Sequence, residues 1–86
     1  MRDRVLRRGR VLDSSDHPIG GALVAVSWGT APTPDIARRT DADGWFDVGL
    51  PTGRFRIHAA APDGRSADVD VDGGEGPDII IRLVPV

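Results

Sequence analysis

Apolar and polar residues alternate along the chain in short runs, each closed by glycine, proline or aspartate, and no segment sustains a helical repeat. The pattern predicts an all-β protein. Residues 4–13 (RVLRRGRVLD) read as a first strand and DSSDHPIGG as a turn. Residues 22–28 alternate with the even positions directed to a core, so Trp28 is expected to cap that core at the strand end. A loop with Pro32 and Pro34 leads to a short strand at 36–40, and Asp41-Ala42-Asp43-Gly44 turns into a strand at 45–50 with Phe46, Val48 and Leu50 inward. After Pro51-Thr52-Gly53, residues 54–61 turn Phe55, Ile57 and Ala59 inward; 66–72 do so with Val69 and Val71, and 78–84 with Ile79, Ile81 and Leu83. Seven strands in 86 residues require two sheets packed face to face.

One hairpin carries enough turn chemistry to set its register. In Ala61-Pro62-Asp63-Gly64-Arg65 the proline is preset for the first central turn position and the glycine tolerates a positive φ. Pairing Ala61 with Arg65 opposes Ile57 to Val69 and Phe55 to Val71 on the core side. On the outer side it opposes His58 to Asp68, Arg56 to Asp70 and Arg54 to Asp72. A two-residue loop would set Ile57 against Asp70, which alternation rejects.

Composition narrows the function. A chain of 86 residues buries only about 60–65% of the surface its unfolded form exposes, too little for a deep catalytic cleft. With no cysteine there is no disulfide framework, thiolate nucleophile or thiolate zinc site, and two histidines, His17 and His58, limit other metal chemistry; no cofactor is expected. The net charge of −2 is unevenly spread, with five arginines in the first ten residues and six acids over residues 63–78. Without a net positive field or an aromatic series, nucleic acid is not expected as a partner, and no apolar run reaches the roughly 20 residues of a membrane span. Strand-like sequence from Val5 leaves no room for a signal peptide, so the expected location is cytoplasmic if the chain is complete and exported if it is excised from a larger protein.

Four motifs follow one another in a familiar order: Gly9-Arg10-Val11-Leu12-Asp13, Pro18-Ile19-Gly20-Gly21-Ala22-Leu23-Val24-Ala25-Val26, Thr40-Asp41-Ala42-Asp43-Gly44-Trp45-Phe46, and Leu50-Pro51-Thr52-Gly53-Arg54-Phe55-Arg56-Ile57. Together they resemble the carboxypeptidase regulatory-like domains of the transthyretin-like (prealbumin-like) superfamily, over nearly the whole chain, residues 1–86, taken as one domain. The resemblance implies a seven-stranded Greek-key β-sandwich of immunoglobulin-like outline. It also implies a non-catalytic accessory module, sometimes grouped with carbohydrate-binding-like folds. Transthyretin-like hydroxyisourate hydrolases are a second relative, with a His, Arg, His set and a C-terminal Tyr-Arg-Gly-Ser signature. Here the chain ends Arg82-Leu83-Val84-Pro85-Val86, His17 lies in a turn, and His58 has Asp68 as its expected partner, so hydrolysis through His17, Arg54 and His58 is not expected. Related pilin and adhesin domains form isopeptide bonds from a lysine, and this chain has none.

Two acidic groups resemble cation sites and are read otherwise. Asp41, Asp43 and Asp47 lack the closing bidentate glutamate of a calcium loop, and Asp68, Asp70 and Asp72 face an arginine stripe that cancels their field. If the family's strand neighbourhoods apply, strands 22–28, 36–40, 54–61 and 66–72 form one sheet with a wet, ion-paired exterior. The other sheet, 4–13, 45–50 and 78–84, turns Trp45, Leu12, Ile80 and Val84 outward with Leu6, ringed by Arg8, Arg10 and Arg82. An aromatic anchor with aliphatic neighbours and an arginine rim has the composition of a protein–protein contact. The expected role is therefore an interaction module for a protein partner or for a second copy in a homo-oligomer. The alternative is a carbohydrate platform built on Trp45.

Overall fold

The computed structural model describes residues 5–32 and 37–85, and within them every regular element is a strand: β1 (Val5–Leu12), β2 (Leu23–Gly29), β3 (Arg38–Arg39), β4 (Trp45–Leu50), β5 (Arg54–Ala60), β6 (Ser66–Asp72) and β7 (Ile79–Arg82). They form a three-stranded sheet in the order β4-β1-β7 and a four-stranded sheet in the order β3-β2-β5-β6, the grouping expected from the sequence. β1 runs antiparallel to β4 and parallel to β7, whereas every pair in the larger sheet is antiparallel. Between the sheets lie the side chains that alternation turns inward, with Val11, Leu50, Phe55, Ile57, Ile81 and Leu83 fully buried. Burying each contributes about 1.5–3 kcal/mol, and together they hold the two layers face to face. The strand expected at 36–40 is confined to Arg38–Arg39, and residue 36 lies outside the described residues.

The β5–β6 hairpin has the register that turn chemistry and alternation require. Ile57 pairs with Val69, Phe55 with Val71, His58 with Asp68, Arg56 with Asp70 and Arg54 with Asp72. The turn closes through Ala61 N–H to the Arg65 carbonyl at 2.8 Å and Gly64 N–H to the Ala61 carbonyl at 3.0 Å, with Gly64 at φ 98°.

Strand β2 departs from simple alternation. Its register with β5 shifts between Val26 and Trp28, so that Val26 pairs with Ile57 but Trp28 pairs with Arg56. Ser27 is the extra residue of a β-bulge, and every side chain beyond it changes face. Trp28 therefore does not cap the core; it lies on the outer face with 54% of its surface exposed. The core end that it was expected to fill belongs to Phe55, around which Gly29 and Gly73 contribute no side-chain volume. A Cβ at Gly29 would lie 2.5 Å from the Phe55 ring, and one at Gly73 would lie 2.7 Å from it.

Candidate functional site

The outer face of the three-stranded sheet is ordered by the register of β1. Arg10 stands between Trp45 on β4 and Ile80 on β7, Arg8 stands beside Asp47, Leu6 beside Gly49, and Leu12 beside Arg82. Trp45 is positioned by the turn before it. The Asp41 carboxylate accepts the backbone N–H groups of Asp43 and Trp45, each at 2.9 Å, and the Gly44 carbonyl accepts Val11 N–H at 2.8 Å. Those bonds occupy Asp41 as a turn former, the structural role that its missing closing ligand implies.

Over the Trp45 ring lie two guanidinium groups, Arg8 with its Cζ 4.3 Å from the ring centroid and Arg10 at 4.8 Å. Each such contact contributes about 0.5–1 kcal/mol at an exposed position. Arg8 also donates to Asp78 at 3.0 Å, and Arg10 donates through Nε to the Asp43 carbonyl at 2.8 Å. Trp45 is thus half-buried beneath two held cations instead of being ringed by them at a distance. The two guanidinium groups cover part of the ring surface that a sugar at this residue would use.

The expected apolar patch needs two corrections. Leu12 is not exposed; it retains 8% of its surface. The chain returns beside it through a bridge to Pro18, and Arg82, its register partner on the other side, reaches Asp16 of that returning turn at 2.8 Å. Leu6, Ile80 and Val84 are exposed as alternation requires, but arginines interrupt them: Arg8 separates Leu6 from the Trp45 row, and Arg82 separates Ile80 from Val84. The second correction concerns the contrast between a wet and a greasy exterior. Leu23 and Trp28 are also exposed, on the ion-paired sheet, so apolar side chains occur on both exteriors.

On the four-stranded sheet the three cross-strand pairs are formed. Arg56 meets Asp70 at 2.8 Å and 3.4 Å, His58 Nδ1 meets Asp68 at 2.8 Å, and Arg54 lies 3.6 Å from Asp72. The Arg56 hydrogen bond holds the Asp70 carboxyl below the usual carboxylate value, and Asp70 in turn raises Arg56. A half-open trough of about 370 Å³ beside these pairs is lined by Trp28, Arg54, Phe55, Arg56, Asp70, Val71 and Asp72. Of the hydrolase-like set, Arg54 and His58 lie on β5 of this sheet, whereas His17 is in the turn after β1, 3.6 Å from Asp13. Among the described residues, no group of three His, Cys, Asp or Glu side chains is placed to hold a metal ion, and no helix is long and apolar enough to cross a membrane.

Two features escaped the sequence reading. Arg7 points into the sandwich and is 6% exposed, donating to the carbonyls of Asp72 at 2.7 Å, Gly74 at 3.0 Å and Pro77 at 2.9 Å, with Nε unsatisfied. Its parity with Gly9 and Val11 was the available signal. Thr40 is buried as well, accepting Ala22 N–H at 2.9 Å and donating to the Ile19 carbonyl at 2.7 Å.

Two packed sheets of three and four strands around a buried apolar interior define an all-β sandwich of immunoglobulin-like outline. The chain belongs to the carboxypeptidase regulatory-like domain family, whose profile matches residues 8–84. That family is a non-catalytic member of the transthyretin-like superfamily. No curated protein is a significant match to the chain.

Proposed function

We propose that this domain is a non-catalytic recognition module that docks a carboxylate-bearing protein surface on the outer face of its three-stranded sheet. The observation that carries this reading is the stack of Arg8 and Arg10 on Trp45, with Ile80 adjoining Arg10. Tryptophan and arginine dominate binding energy at protein contacts, and an arginine already held on an aromatic face loses less side-chain entropy on docking. Among the described residues Arg10 is bonded to a carbonyl and not to a carboxylate, which leaves its charge for a partner's acid. Arg82 follows Ile80 on the same face of β7, while Leu12 serves as buried support.

The test is affinity capture with wild-type domain and a Trp45→Ala, Ile80→Arg variant side by side, with sedimentation of each alone. The reading requires a protein retained by the wild type, released by salt and lost from the variant, while melting is largely unchanged. Salt sensitivity follows from the exposed arginines. A second copy of the chain as occupant would appear as self-association that the double change abolishes. Equal retention by both baits together with unchanged sedimentation overturns the assignment.

A further inference from the structure

The bulge at Ser27 presents Trp28 on the exterior opposite to the Arg8–Trp45–Arg10 stack, beside the end of the β5–β6 hairpin remote from its turn. The indole is 54% exposed and, among the described residues, carries no stacked guanidinium. Beside it the trough of about 370 Å³ offers Arg54 and Arg56 as donors and Asp70 and Asp72 as acceptors. The Arg56–Asp70 pair is closed by two contacts, at 2.8 and 3.4 Å, and the Arg54–Asp72 pair is looser at 3.6 Å. Trp28, Arg56 and Asp70 therefore stand side by side across β2, β5 and β6, with the donors in a row on β5, the acceptors in a row on β6 and the indole at one side.

The geometry points to this trough as a binding site for the ring of a neutral saccharide. An anion would meet Asp70 and Asp72, and a cation would meet Arg54 and Arg56, so neither charge gains on balance. A wholly apolar ligand would cover four charged groups without returning hydrogen bonds, which is costly. A sugar ring avoids each penalty: its C–H face packs on an indole, and its hydroxyl groups both donate and accept. Neighbouring hydroxyls can span a carboxylate's two oxygens or a guanidinium's two nitrogens, and the looser Arg54–Asp72 pair, at 3.6 Å, leaves such atoms open to them. Asp70, held ionised below the usual range by Arg56, remains an acceptor throughout neutral pH. The site is independent of the protein-docking face, since the two lie on opposite sheets.

The test uses the full chain and two readouts. In a Trp45→Phe background, where Trp28 is the sole tryptophan, fluorescence is followed during titration with neutral glucose-, xylose-, mannose- and galactose-based oligosaccharides up to about 10 mM. Methyl glycosides and the matching polysaccharides run in parallel distinguish recognition of a free ring from recognition of a chain. The expected result is a saturable change with at least one of these sugars. By calorimetry, Trp28→Ala and Arg56→Ala should each weaken that binding by about tenfold or more, while the Trp45→Ala, Ile80→Arg variant binds within about twofold of wild type. A flat titration across the panel overturns the inference, as does binding that survives Trp28→Ala unchanged in a variant whose melting shows it folded.

Discussion

Aspartates dominate the acids of this chain, and three of them do the same local work. Asp13, Asp41 and Asp63 each accept the backbone N–H of the residue two positions ahead, Ser15 at 2.8 Å, Asp43 at 2.9 Å and Arg65 at 3.1 Å. The short side chain thereby replaces a backbone partner in a tight turn, a role that glutamate's extra methylene would spoil. Thr40 is the buried counterpart, its hydroxyl joining Ala22 and Ile19. Thr40→Val keeps the shape and strips both bonds, so urea unfolding should show a loss of about 1–3 kcal/mol. Arg7→Met, which leaves the carbonyls of Asp72, Gly74 and Pro77 without their donor, should cost about 1.5–3 kcal/mol and speed amide exchange in the connection between β6 and β7. The inward parity of Arg7 is visible in the sequence, but its partners are carbonyl oxygens at least 65 residues away, and carbonyl groups leave no side-chain signature to pair with it.

At the scale of the element, legibility followed local chemistry. The β5–β6 hairpin could be registered residue by residue because Pro62, Asp63 and Gly64 specify its loop and both faces alternate cleanly. β2 could not, because nothing in Val26-Ser27-Trp28 announces a bulge; the choice is made by Phe55, which takes the space at the core end. Leu12 is buried against local alternation for a similar reason, since its cover comes from a returning turn and an Arg82–Asp16 contact between residues 66 apart. The turn glycines test this level directly. Gly64, at φ 98°, should lose about 1–2 kcal/mol on substitution by alanine from backbone strain. Gly44, at φ 82°, should lose more, because its added Cβ would also lie 2.5 Å from the Val11 carbonyl oxygen. Thermal melting of the two variants would show the order, and since Gly44 lies in the turn that positions Trp45, only its variant should alter Trp45 fluorescence.

Across the whole molecule the two exteriors differ in how charge is arranged. On the larger sheet each arginine or histidine of β5 is paired with an aspartate of β6, whereas the smaller sheet places Arg8 and Arg10 on an aromatic ring. Three carboxyls respond to acid in the same direction. Asp70 and Asp63, hydrogen-bonded by Arg56 and Arg65, and Asp13, bonded by the His17 amide, are all held below their ordinary value of 3.8. A carboxyl whose folded value is depressed adds stability above its unfolded value and loses it as the pH falls through the folded one. The melting temperature should therefore be level from neutral pH to about 4 and decline below it, and Asp70→Asn should show a shallower decline. The exposure of these groups keeps the effect modest.

The proposed docking of a protein partner rests on the smaller sheet around Trp45. Its most direct measurement is the amount of captured protein retained by three baits compared in one experiment: wild type, Trp45→Ala with Ile80→Arg, and Trp28→Ala. The protein held by wild type should be lost from the double variant and retained in full by Trp28→Ala. Retention by the double variant equal to wild type, or loss from Trp28→Ala alone, would contradict it.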